Sequence, residues 1–171
     1  MKNINKFKSL IYIILPMIMM SFSAILNAAS SAPAFPSAAE HQQTIYQFIS
    51  EIKDAQDRSA AIAQATLQGF TPTNTQLQLE IDSISTDLQA LNQIIEDYAD
   101  IVQGLTPEDR HVRLTFNVLN LVRSNLYTLS LLVRSATDIE RIELLDEYFR
   151  TRRNASSTLM ILENALAAYN V

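Results

Sequence analysis

Cysteine and tryptophan are missing from this chain, and glycine is limited to Gly69 and Gly104. Without cysteine there is no disulfide framework, thiolate metal site, covalently attached haem or lipid-modified N-terminal cysteine. The core must therefore hold the fold unaided. So little glycine leaves no phosphate-cradling loop, and no alternation of apolar and polar residues competes for a strand. Lysine is nearly absent too: beyond Lys2, Lys6 and Lys8 only Lys53 remains.

What the first segment does contain is a layout. Three lysines precede an apolar run from Leu10 to Leu26, followed by the small residues Asn27, Ala28, Ala29, Ser30, Ser31 and Ala32. Charge holds the N-terminus at the cytoplasmic face, the apolar run enters the bilayer as a helix, and small side chains admit a peptidase. The layout predicts a secretory signal over 1–29, cleaved near Ala28 to Ser30, and an exported product, periplasmic or secreted. The alternative is an uncleaved anchor. The run falls a little short of the ~20 residues that span a bilayer, and Pro16, Ser21 and Ser23 interrupt it.

Cleavage leaves ten basic against eighteen acidic residues, a net charge of −8. Such a surface repels phosphate backbones and anionic headgroups, whose binding relies on clustered Lys and Arg. Neither a nucleic-acid partner nor a stable membrane association after cleavage is expected.

Residues 30–36 form an extended spacer, because Pro33 and Pro36 push their predecessors out of helical geometry. From 37 to 171 the punctuation is helical. Ser37-Ala38-Ala39-Glu40 has capping-box spacing, and Thr73 to Gln76, Thr106 to Asp109 and Thr137 to Glu140 repeat the theme. Gly69 and Gly104 stand where a left-handed residue ends a helix at least cost. The expected helices are about 37–67, 74–103, 107–135 and 138–169, each about 45 Å long at 1.5 Å per residue. Equal rods with short links predict an all-α fold, an antiparallel up-down-up-down four-helix bundle.

The second helix has the firmest pattern. Leu77, Ile81, Ile84, Leu88, Leu91, Ile95, Tyr98, Val102 and Leu105 follow an unbroken four-three alternation, which builds one seam as in a coiled coil. The third carries a stripe from Val112 to Val133 and a second set, Leu114, Val118, Leu121 and Leu132, on an adjoining face. An apolar arc much wider than ~100° marks either a central helix or a surface for another chain. The second option makes those four residues an interface for a protein partner or for a homo-oligomer.

Three constellations bear on chemistry. Arg152 falls near the centre of an apolar face built from Ile142, Leu145, Phe149, Leu159 and Leu166, and equal helical rises bring Asp54 and Asp87 to its level. It is either a buried guanidinium paired with those acids or a side chain reaching the edge with its stem on the core. His41 and His111 open the first and third helices, which an antiparallel bundle brings to one end. Glu108 lies three residues before His111, so the three are either a zinc or copper site or, with the histidines near helix starts, solvated surface side chains. Asp97, Asp100 and Glu163 lie towards the same end. Haem held between His41 and Met160 fits poorly, because the two differ in height along the bundle. Met160 reads as core filling, and no cofactor is expected.

Nucleophilic catalysis finds no support: there is no thiol, no strand-turn-helix elbow and no pair of carboxylates in a cleft. Asp54 with Arg58, Asp109 with Arg113, and Asp146 and Glu147 with Arg150 read as solvated helix-stabilising pairs. The sequence thus leads to a non-enzymatic, exported, protein-binding or self-associating bundle. A metal- or cofactor-binding bundle using His41 and His111 is the alternative.

Overall fold

A computed structural model describes residues 35–68, 73–135 and 137–169. The expected signal over 1–29, most of the expected spacer over 30–36, and Gly69 lie outside the described residues. Four helices make up the fold: α1 Ala38–Gln68, α2 Asn74–Val102, α3 Glu108–Arg134 and α4 Asp138–Ala167. The described residues contain no strand, and none of these helices is long and apolar enough to cross a membrane.

Each boundary has a local cause. Ser37 and Glu40 close a reciprocal box at the start of α1, the Ser37 amide donating to the Glu40 carboxylate at 2.8 Å and the Glu40 amide to the Ser37 hydroxyl at 3.3 Å. Thr73 and Gln76 do the same for α2, and the Thr137 hydroxyl accepts the Glu140 amide at the start of α4. These bonds occupy amides that a helix leaves unpaired in its first turn. Gly104, at φ 82°, turns the chain out of α2 in the left-handed region where only glycine is unstrained. The third start differs from expectation. Pro107 takes the capping position and offers no side-chain acceptor, so α3 begins without a side-chain cap and Thr106 stands one residue too early.

The expected seam of α2 is buried from Leu77 through Ile95 and at Val102, with Tyr98 and Leu105 partly buried beside it. Ile45, Phe48, Ile49 and Ile52 of α1 meet this core, each side chain worth about 1.5–3 kcal/mol removed from water. At one end His41 of α1 lies against Tyr98 of α2 and His111 of α3. Towards the other, Arg58 of α1 holds Glu80 and Asp87 of α2 at 2.9 and 2.6 Å.

The centre of the fold is α3, which packs against all three other helices. This explains its wide apolar arc. Val118 and Leu132 are fully buried, and Leu114 and Leu121 are partly buried against the same core, so the four residues expected to form an interface serve the interior instead. By contrast α4 leans mainly on α3, approaches α1 only lightly, and has no Cα within 8 Å of one in α2.

Candidate functional site

The buried stripe of α4 is Tyr148, Ala155, Leu159, Leu162 and Leu166. At 100° per residue these lie within about 60° of one another. That stripe is rotated by about 50° from the one expected around Arg152, which moves Ile142 and Phe149 out of the interior. Arg152 is half-buried at the stripe's edge, beside the Tyr148 hydroxyl. The acids assigned to it lie elsewhere: Asp54 and Asp87 are exposed and pair with Arg58. The reading of Arg152, Asp54 and Asp87 as a buried polar group is therefore corrected. An edge position lets the guanidinium reach water while its stem covers the core.

On the opposite side α4 presents Ile139, Ile142, Phe149, Met160 and Ile161, between 47% and 73% exposed. They fall within about 120° of helix circumference, centred nearly opposite the buried stripe. No other helix carries as many exposed large apolar side chains. Met160 is thus a surface residue rather than core filling. Two apolar stripes on opposite faces cancel in any periodicity sum, so the sequence pattern does not fix the orientation of α4. Among the charges interleaved with this stripe, the expected pairing of Asp146 or Glu147 with Arg150 does not form. None of Asp146, Arg150 and Arg153 takes part in an ion pair among the described residues.

The two histidines do meet. His41 Nε2 lies 3.0 Å from His111 Nδ1, and His41 Nδ1 lies 2.7 Å from the Tyr98 hydroxyl. Both rings are buried, and they stack with centroids 5.3 Å apart. Tyr169, just beyond α4, stands edge-on to both, and its hydroxyl donates to the Glu108 carboxylate. The cluster joins the start of α1 and the residue just beyond α4 to α2 and α3. Nearby, the Gln42 amide donates to the Leu166 carbonyl at 3.2 Å, and Lys53 pairs with Glu163 at 2.6 Å.

Only one proton fits between the facing nitrogens, so one imidazole donates and the other accepts. Burial pushes the His41 imidazolium pKa down to about 4, His111 adds to the shift, and Glu108 opposes it. His111 is lowered as well, first by burial, against the pull of Glu108. Burial raises Glu108, but the Tyr169 hydroxyl, its own backbone amide and the two histidines outweigh this and hold it below the usual carboxylate value. Burial lifts the phenols of Tyr98 and Tyr169 to about 12, the Glu108 hydrogen bond adding to the second.

Such a cluster works as a polar clasp. Nδ1 of His41 is engaged with Tyr98, Nε2 of His41 and Nδ1 of His111 are engaged with each other, and Glu108 is engaged by Tyr169. Among the described residues no group of three or more His, Cys, Asp or Glu is disposed to hold a metal ion. Asp97 is bonded by Gln93 and Glu163 by Lys53, so neither completes a ligand set. Tyr98 and Tyr169 were missed as members of this cluster. Tyr98 was visible as the one aromatic in the α2 seam, whereas no sequence signal marks Tyr169, whose role depends on how α4 ends.

No protein-family model, curated protein or solved structure matches this chain. Its function is read from its own surface.

Proposed function

We propose that this chain is an exported, antiparallel up-down-up-down helical bundle that works by binding protein rather than by catalysis, and that the outer face of α4 is the binding surface. The observation that carries the reading is the row of five large apolar side chains on the face of α4 turned away from the core. Scattered apolar residues are ordinary on a protein surface, but a row on one helix face is the form in which helices offer themselves to partners. The lysine-led apolar segment and the small residues after it support export to the periplasm or beyond. An acidic, cysteine-free body suits such a compartment without depending on its redox state.

Site-directed photocrosslinking in the producing cell tests the reading. A photoreactive residue at position 142 or 160 is expected to capture a protein, identifiable by mass spectrometry, that the same residue at Glu96 on α2 does not. Equal capture from all three positions, or none from 142 and 160, overturns it. Fractionation of the same cells is expected to find the product outside the cytoplasm and shortened by about the length of the signal.

A further inference from the structure

We infer that the partner of this face is a second copy of the chain, with the two α4 helices packed antiparallel about a twofold axis between Phe149 and Arg150. The inference rests on the binding reading above and names its occupant. Along the exposed face α4 reads Ile139, Ile142, Asp146, Phe149, Arg150, Arg153, Ser157 and Met160, all within about 120° of circumference. The order is self-complementary when reversed. An antiparallel partner on that axis sets Ile139 opposite Met160, Asp146 opposite Arg153 and Phe149 opposite Arg150.

Each juxtaposition has a physical basis. Ile139 and Met160, 73% and 59% exposed, cover each other twice in the symmetric pair. Asp146 and Arg153, both exposed and outside any ion pair among the described residues, form two symmetric salt bridges. The Phe149 ring, 47% exposed, receives the partner's Arg150 guanidinium on its face. A parallel pairing lacks all of this: it stacks Asp146 on Asp146, Arg150 on Arg150 and Arg153 on Arg153. The wider charge pattern of α4 agrees, since Asp138, Glu140, Glu143, Asp146 and Glu147 outnumber the single Arg141 in its first third and Arg150, Arg152 and Arg153 follow.

Geometry permits the approach, because the paired face lies opposite the stripe that meets α3, so the two bodies sit on opposite sides of the pair. From Ile139 to Ile161 the contact runs for about 33 Å of helix. Two such helices bury on the order of 1,000 Å² in total, at the lower limit for a specific interface. A reversible dimer with a dissociation constant in the roughly micromolar range is expected from a contact of that size.

Charge reversal separates this pairing from every other. Asp146→Arg alone sets two Arg-Arg contacts across the twofold, and Arg153→Asp alone sets two Asp-Asp contacts. Each single variant is expected to weaken the dimer by about tenfold or more in sedimentation equilibrium. A mixture of the two single variants recovers both salt bridges and is expected to dimerise as the wild type does. Circular dichroism of each variant confirms that the fold is kept, since both positions are exposed. A wild type that stays monomeric to 100-fold above about micromolar concentration, while positions 142 and 160 still crosslink a different protein in cells, overturns self-pairing and leaves the binding reading standing. A dimer indifferent to the reversals, or one not recovered in the mixture, overturns the antiparallel register.

Discussion

Acidification should loosen this bundle through His41 before its carboxylates titrate. The ring is fully buried and its pKa is held at about 4, against 6.5 for an ordinary imidazole. A lowered histidine pKa means that the unfolded chain binds the proton more tightly than the folded one. The contribution is therefore complete above pH 6.5 and is lost as the pH falls from there towards 4. With one pKa unit equal to about 1.4 kcal/mol, the loss reaches about 2 kcal/mol at pH 5 and about 3 kcal/mol at pH 4. The physical event is the charging of a buried ring, and where the proton falls on the accepting nitrogen of the 3.0 Å contact it also sets two N–H groups against each other. Urea unfolding followed by far-ultraviolet circular dichroism, at half-unit steps from pH 7.5 to 4, measures the slope. His41→Gln keeps an amide donor and acceptor but cannot titrate, so its profile should be flatter by that amount. Parallel profiles for wild type and His41→Gln would refute the assignment of the acid limb to this ring.

Three further outcomes follow from positions already described. Leu132→Ala should cost about 2 to 5 kcal/mol in the same assay, as a cavity in the core, whereas Ile142→Ala on the outer face of α4 should stay within about 0.5 kcal/mol. Gly104→Ala meets no atom within 4 Å of the added carbon, so its cost comes from the backbone at φ +82° alone, about 1 kcal/mol lost from the unfolding free energy. At the alkaline end, phenols raised to about 12 in the folded state give stability that is complete below their ordinary value of 10 and is lost as the pH rises towards 12. The Tyr98→Phe, Tyr169→Phe double variant should flatten that limb, and an unchanged limb would remove both phenols from the account.

The helices were legible because their start signals are local. Ser37 with Glu40 and Thr73 with Gln76 sit three residues apart, and the bonds they make depend on nothing distant. The seam of α2 was legible for the same reason: one polar face and one apolar face admit a single orientation. Where two orientations compete, only packing decides. The wide arc of α3 fits a central helix and a docking helix equally well, and the choice fell to the number of neighbours that α3 collects. On α4 the ambiguity hid the outcome altogether, since Ile142 and Phe149 are as apolar as Leu159 and Leu162, and a rotation of about 50° exchanges which of them meet water. The His41 and His111 contact followed from two helix starts sharing an end. Their partners Tyr98 and Tyr169 did not, because hydroxyl contacts depend on side-chain reach at helix ends rather than on periodicity.

The unequal attachment of α4 gives the molecule a gradient of local stability. Its side-chain ties to α1 lie in its last turns, through Glu163 and Leu166, with Tyr169 just beyond, and α3 supplies most of its remaining support. Amides between 139 and 149 should therefore exchange with solvent by a partial opening that leaves α1 to α3 intact, ahead of any whole-molecule unfolding. The same opening is a route by which a protease reaches α4. A helix that frays from one end while anchored at the other is a natural place for an assembly partner to leave its mark, as slowed exchange confined to those turns.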